Sequence, residues 1–336
     1  MQISSSRPAE RLYRLLLLVY PKAFRDAYCR EMTQTFRACY REARQQGSWG
    51  LLCLWSFILR DLAASAFVEH MKRFFATTRM EDSILLPQFY LDIAQRTDIG
   101  RTRPSNEDNM TTVVPEDPQV LAKKGALFVV SDGLGGHSAG DVASEMAVRL
   151  VSEAYYQNES AEIATALQQA VEYANNEICR LNELNTQEPK HAMGTTCVAA
   201  VLQGAAVYVA NVGDSRAYLL RDGQLRQISR DHSPVADMVR AGLLTEEQAR
   251  THEKRNMISR SLGDGTVEVD TFTEAVQSGD TLILCTDGLS AVLGDEELRA
   301  IVEQYGPQES VEHLIARANE QGGPDNITAI VVRVSV

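Results

Sequence analysis

The chain has no Cys-x-x-C pair. Its six cysteines, Cys29, Cys39, Cys53, Cys179, Cys197 and Cys285, are scattered, and several lie inside apolar runs. That pattern offers neither a zinc knuckle nor a redox dithiol, and it reads as buried thiols in a reducing, cytoplasmic setting. No apolar run is long enough to span a bilayer: the nearest, WGLLCLWSFIL at 49–59, is broken by Arg60-Asp61. No secretory leader is expected, because arginines follow residues 1–10 inside the first apolar stretch. Basic charge is scarce where a nucleic-acid binder needs it. The whole chain carries 33 Lys and Arg against 45 Asp and Glu, a net charge of −12, and residues 81–336 alone hold 20 against 39, or −19. Nonspecific nucleic-acid binding by that part is not expected.

What is present begins with a basic prefix. Residues 1–80 hold 13 Lys and Arg against 6 Asp and Glu, or +7. Residues 8–76 read as all-helical. Leu12, Leu15, Leu16 and Val19 form a short apolar face that Pro21 stops. Phe24, Tyr28, Met32, Phe36 and Tyr40 then recur every four residues, one stripe of an amphipathic helix that ends at Gly47, and Ser48 could cap a third helix. Two readings stay open for this prefix. It is a plain helical packing module, or its basic face docks to lipid headgroups at the inner membrane face or to an acidic partner. Residues 77–90 lack periodicity and read as a linker, with a boundary near residue 85 and the main domain over 91–336.

The main domain is organised around Val129-Val130-Ser131-Asp132-Gly133-Leu134-Gly135-Gly136-His137. The apolar run 126–130 reads as a buried strand that ends on an aspartate and a glycine-rich loop. An isolated Asp-Gly is usually a turn, as Asp222-Gly223 in LLRDGQLRQI is expected to be. Here the pattern recurs. The run 282–285 ends in Thr286-Asp287-Gly288-Leu289, and Gly322-Gly323-Pro324-Asp325-Asn326 stands before the run 327–334. If those strands are neighbours, three carboxylates converge, which is unfavourable unless cations neutralise them. Arg103 sits just before Asn106-Glu107-Asp108, as a salt-bridge partner or as a bidentate phosphate clamp. Asp214, in Val212-Gly213-Asp214-Ser215-Arg216, reads as a hairpin turn or a further site carboxylate.

Strands are expected at 91–97, 108–114, 126–131, 197–202, 206–211, 216–220, 267–272 and 281–285, with a last one at 327–334. Helices are expected at 139–156, 160–184, 295–305 and 307–320. Residues 230–262 break the strand rhythm with three short helical pieces, SPVADMVRAG, TEEQARTH and EKRNMISRSLG, and read as a flap. Helices clustered between hairpin-linked strands argue for an α+β fold with antiparallel sheets, not a doubly wound parallel sheet.

RTRPSNED, VVSDGLGGHSAGDVAS, MGTT, VGDSRAYLLRDG, DHS…MISRSLG, LCTDGLS and GGPDNIT follow in this order over residues 95–335. Together they resemble the PPM family of metal-dependent Ser/Thr protein phosphatases, the bacterial protein phosphatase 2C type. The prefix string LYRLLLLVYPKAFRDAYCREMTQTF resembles a short helical module found ahead of permease and regulatory domains in some bacteria, and implies no chemistry.

The PPM resemblance implies a two-sheet antiparallel β-sandwich flanked by helices, in α-β-β-α layers. It implies Mn2+ or Mg2+ as cofactor, two ions with a third, looser site in bacterial relatives. Asp132 would bridge two ions and the Gly133 carbonyl would ligate one. Asp287 and Asp325 would hold the other, Glu107 and Asp108 would act largely through waters, and Asp214 with Asp287 would serve the third. Arg103 would bind the substrate phosphate. Oxygen-only ligands with retained waters suit these cations. The expected substrates are phosphorylated proteins, products of Ser/Thr kinases; the competing expectation is a phospho-binding module with little catalysis. Many eukaryotic relatives carry a histidine directly after the Asp-Gly. Leu134 stands there in this chain, and His137 reads as a loop histidine with a structural role.

Overall fold

The computed structural model describes residues 89–134, 139–184 and 193–335, together with Ser83–Leu85 and the helical residues Tyr13, Leu16, Thr33, Phe36 and Tyr40. The chain divides into two units, Met1–Glu81 and Asp82–Val336. In the first unit Tyr13 stacks on Phe36 with ring centroids 4.3 Å apart, and Phe36 lies 5.6 Å from Tyr40. Phe36 and Tyr40 are thus neighbours one helical turn apart, as the stripe predicts. The rest of the expected prefix helices, and His137, lie outside the described residues.

The second unit is a sandwich of two sheets in which every strand pair is antiparallel. One sheet runs β1 (Ser83–Leu85), β2 (Tyr90–Asp98), β12 (Ile327–Ser335), β11 (Thr281–Cys285), β8 (Arg216–Arg221), β9 (Gln224–Gln227). The other runs β10 (Asp270–Ala275), β7 (Ala206–Val212), β6 (Cys197–Gln203), β4 (Ala126–Leu134), β3 (Asp108–Val113), with β5 (Gly194–Thr195) paired to the end of β4.

Strand alternation sorts side chains into layers. Phe128 and Val130 of β4, Val198 and Ala200 of β6, Leu282 and Leu284 of β11, and Ile330 and Val332 of β12 meet between the sheets. Leu127 and Val129 point the other way, onto α2 (Ala139–Gln157) and α3 (Ile163–Leu184). On the opposite outer face, Ile283, Ala329 and Val331 pack against α7 (Asp295–Gln304) and α8 (Pro307–Glu320). The layers are therefore α-β-β-α, and each fully buried aliphatic side chain contributes roughly 1.5–3 kcal/mol.

Several boundaries differ from those expected. The stretch read as a linker contains β1, and the division between units falls at Glu81, four residues ahead of the expected boundary. Helix α3 begins at Ile163 because Asn158 and Ser160 close a polar turn first: Ser160 N donates to Asn158 Oδ1 at 2.8 Å and Glu162 N to Ser160 Oγ at 3.1 Å. Strand β10 starts three residues late, at Asp270, where its register with Asn211 of β7 begins. In the flap, α4 (Pro234–Arg240) and α5 (Glu246–Thr251) form as expected, but the third piece is not helical. Its backbone is bound elsewhere: Ser259 N donates to His232 O at 2.8 Å and Leu262 N to Thr195 O at 2.8 Å. Helices α1 (Pro118–Lys124) and α6 (Asp287–Ser290) are additional. Asp222 and Gly223, at φ 49° and 74°, make the expected turn between β8 and β9.

Candidate active site

The carboxylates gather at one end of the sandwich because of strand direction. Asp108 opens β3 and is the direct cross-strand partner of Asp132, near the end of β4. Asp287 follows β11 and begins α6, while Asp325 lies two residues ahead of β12, and β11 and β12 are antiparallel neighbours. Asp214 is not in a hairpin. Strands β7 and β8 belong to different sheets, so Gly213-Asp214-Ser215 is the crossing between them.

Polar contacts sew the sheets together at this end. Asp108 Oδ2 accepts from Thr286 Oγ1 at 2.8 Å and from Thr328 Oγ1 at 2.7 Å, both from the opposite sheet. Asn326 Oδ1 accepts from Glu107 N at 2.8 Å, and its amide nitrogen donates to the Ile99 and Ser105 carbonyls, both at 2.9 Å. On β4, Asp132 N donates to Thr196 Oγ1 at 2.9 Å, and Thr196 Oγ1 shares a 2.7 Å bond with Ser215 Oγ. The Asp132 carbonyl accepts from Thr195 Oγ1 at 2.8 Å and from Thr196 N at 2.9 Å. Arg103 Nη2 donates to Asp325 Oδ2 at 2.7 Å, with the guanidinium about half exposed.

Gly133 is at this position because nothing larger fits. A Cβ there would collide with the Gly140 carbonyl and stand 2.6 Å from the Glu107 carbonyl. Gly140, in the first turn of α2, is equally confined, with a Cβ only 2.5 Å from Glu107 Oε2. Two backbones and a buried glutamate are thus in direct contact beside Asp132.

The electrostatics are those of a crowded anionic cluster. Burial pushes Asp108 up to about 7, with Asp287 and Asp325 adding to it and the two threonine hydroxyls opposing it. Asp132 is raised, first by burial and then by Asp108, Asp287 and Asp214. Asp287 is raised by burial and by Asp325, and Asp214 by burial and by Asp287. Asp132, Asp214 and Asp287 are half-buried, so one side of the cluster opens to solvent. Arg103 is bonded to this group through Asp325, and that bond holds it above its usual value.

The fold therefore brings Arg103, Glu107, Asp108, Asp132, Gly133, Asp214, Asp287 and Asp325 to one end. Their fit to divalent cations rests on one atom above all: Asp108 Oδ1 is fully buried and has no hydrogen-bond partner. Such an acceptor is costly to bury alone. A nearby cation, directly or through water, would supply the missing partner. Among the described residues no three His, Cys, Asp or Glu side chains form a ready cage for one ion. Asp325 is turned to Arg103 and Asp108 Oδ2 to the threonines, which suits Mg2+ or Mn2+ keeping several waters more than an all-protein cage.

Threonines 196, 286 and 328, Asn326 and His232 are site residues that sequence reading passes over. Thr286 and Asn326 adjoin Asp287 and Asp325, and His232 lies in the DHS string. Their only signal is membership of the MGTT, DHS, LCTDGLS and GGPDNIT strings.

A family model described as Protein phosphatase 2C matches residues 106–330. A serine/threonine phosphatase, stp, of Listeria monocytogenes is 43% identical over 243 residues, spanning 70% of this chain and 93% of the relative. The crystal structure of the Mycobacterium tuberculosis serine/threonine phosphatase PstP/Ppp is similar with a TM-score of 0.65 at 34% identity, covering 73% of this chain and 99% of that one. The catalytic domain of PstP in complex with two manganese ions is similar with a TM-score of 0.63 at 33% identity, over the same shares of the two chains.

Proposed function

Since this chain belongs to the protein phosphatase 2C family, we propose that it hydrolyses phosphoserine and phosphothreonine in proteins, in a reaction that depends on Mn2+ or Mg2+. The observation that carries the reading is the acidic end of the sandwich, with an unpartnered oxygen of Asp108 buried among raised carboxylates. Asp132, the Gly133 carbonyl, Asp287 and Asp325 would hold two cations, with Glu107 and Asp108 reaching them through water. Asp214 with Asp287 would hold a third. When bound, such ions neutralise phosphate charge and make a water nucleophilic at neutral pH.

The remaining work belongs to side chains. Arg103, half exposed and at the rim, would bind and orient the phosphate with its planar fork. No protein nucleophile is required. Leu134 has no proton to give to the departing serine or threonine oxygen.

Phosphoproteins made by Ser/Thr kinases are the substrates this reading implies. Among the described residues no helix is long and apolar enough to cross a membrane. The +7 charge of residues 1–80 supports docking of the prefix to an anionic membrane surface or an acidic partner. The deciding experiment is phosphate release from a phosphothreonine peptide with Mn2+, comparing wild type with Asp132→Asn. The expected outcome is loss of roughly 10²–10³-fold in kcat, the scale seen for removing one essential electrostatic group. Equal turnover by the two proteins, turnover in EDTA, or tight peptide binding without release would each overturn the reading.

A further inference from the structure

Strands β2 and β12 part after the pair Asp98–Ile327, because the chain must leave the sheet of β2 to reach β3 in the other. Residues 99–105 make that crossing and carry Arg103. Asn326 stands one step beyond the last ladder pair, at the position that would face Ile99, and its side chain takes over where the backbone ladder stops. Its amide nitrogen donates to the Ile99 and Ser105 carbonyls, both at 2.9 Å, and its Oδ1 accepts from Glu107 N at 2.8 Å. One side chain of a residue only 5% exposed thus grips both limbs of the loop and uses both of its N–H donors.

Further fastenings serve the first limb. Gly100, at φ 79°, lies so close to the neighbouring loop that a Cβ would collide with the Asp325 carbonyl. Arg101 N donates to Gly323 O at 2.8 Å, and Thr102 Oγ1 donates to Pro324 O at 2.7 Å. Arg103 follows, and then Pro104, which has no N–H to anchor. The second limb is tied back through Ser105 O, and the bond that ties it is Asn326's. Arg103 departs between the limbs, its half-exposed guanidinium bonded to Asp325 Oδ2. Asp325 Oδ1 in turn accepts from the backbone N of Asn326 at 2.8 Å, a bond that survives replacement of the asparagine side chain.

We propose that Asn326 is a positioning residue for Arg103: it closes the loop 99–105 so that the guanidinium is aimed before the substrate phosphate arrives. The proposal rests on the reading of Arg103 as the phosphate-binding residue. A loop released at its second limb would have to be ordered at each binding event, and the entropy of that ordering is subtracted from affinity.

The test uses the full chain with Mn2+ and compares wild type, Asn326→Ala, Asn326→Asp, Arg103→Ala, and each Asn326 change combined with Arg103→Ala. The probes are a phosphothreonine peptide as substrate and inorganic phosphate as inhibitor. Aspartate keeps an acceptor for Glu107 N, and with it the buried bond whose loss could unfold Asn326→Ala. Its other oxygen faces two carbonyls, so it too releases the loop. In both Asn326 variants the peptide KM and the phosphate Ki should rise about 10-fold, with Mn2+ affinity by calorimetry unchanged within about twofold. In the Arg103→Ala background neither change should add more than about twofold, because a group that acts through Arg103 has nothing left to aim. Additive losses, such as a new negative charge repelling phosphate would give, overturn the proposal. Losses confined to Mn2+ affinity would make Asn326 a support of Glu107 and Asp325, and overturn it as well. If Arg103→Ala raises KM and Ki while the Asn326 variants match wild type, the proposal fails and the reading of Arg103 stands. If Arg103→Ala binds phosphate as wild type does, that reading fails and takes the proposal with it.

Discussion

At Gly140 an ordinary stabilising substitution becomes a damaging one. Replacing a helical glycine by alanine usually gains roughly 0.5–1 kcal/mol. Here the new methyl would stand 2.5 Å from Glu107 Oε2 and 2.9 Å from the Gly133 carbonyl carbon. Something must shift, and the groups that shift belong to the site. Gly140→Ala is therefore expected to raise the Mn2+ concentration for half-maximal activity about 10-fold, with no gain in Tm. An unchanged Mn2+ requirement together with a higher Tm would show that Glu107 moves aside freely. The acidic residues themselves were legible: Asp132, Asp287 and Asp325 stand at the ends of apolar runs, where alternation and length mark strands. Gly140 was not, because a glycine one turn into a helix carries no sign of what faces it across the fold.

Pairing between elements was the harder thing to read. The order of strands and helices follows from periodicity, and most boundaries fall within a few residues. Which strand ends share a place in space does not follow, since Asp108 and Thr328 are separated by 220 residues. The threonines that bind Asp108 look like any β-branched strand residue, and only the antiparallel pairing of β11 with β12 puts both hydroxyls on one carboxylate. The non-helical third piece of the flap has the same origin, because its amides are spent on His232 and Thr195 and not on a helix. Thr328 Oγ1 also meets Thr97 Oγ1 at 2.8 Å, so it joins β12 to β2 as well as to β3. Thr328→Val keeps the shape and removes those bonds. It should cost about 1–3 kcal/mol in urea unfolding, the range for leaving buried polar partners unsatisfied. Thr286→Val should cost less when added to Thr328→Val than alone, because both act on Asp108 Oδ2. Additive losses would mean that the two hydroxyls do not share a function.

Across the whole molecule the charge is divided as the units are. Residues 1–80 carry +7 and residues 81–336 carry −19. An acidic catalytic unit is repelled by anionic lipid, so any attraction of the full chain to such a surface must come from the prefix. Full-length protein and residues 82–336 are expected to hydrolyse a soluble phosphopeptide at similar rates, while the full chain alone sediments with vesicles rich in anionic lipid. The sedimented fraction should fall as salt rises. Equal sedimentation of both proteins would remove the lipid-docking role.

Asp108 makes one more connection. The same carboxylate clasps two hydroxyls of the opposite sheet with one oxygen and leaves the other buried without a hydrogen-bond partner. Far from it, at the other end of the strands, Arg221 and Asp280 form an ion pair in which Asp280 is almost wholly covered. Stripping divalent ions from this protein would therefore work as a mild denaturant with an address. It would loosen the seam at the catalytic rim first, while the distant end of the sandwich stays shut.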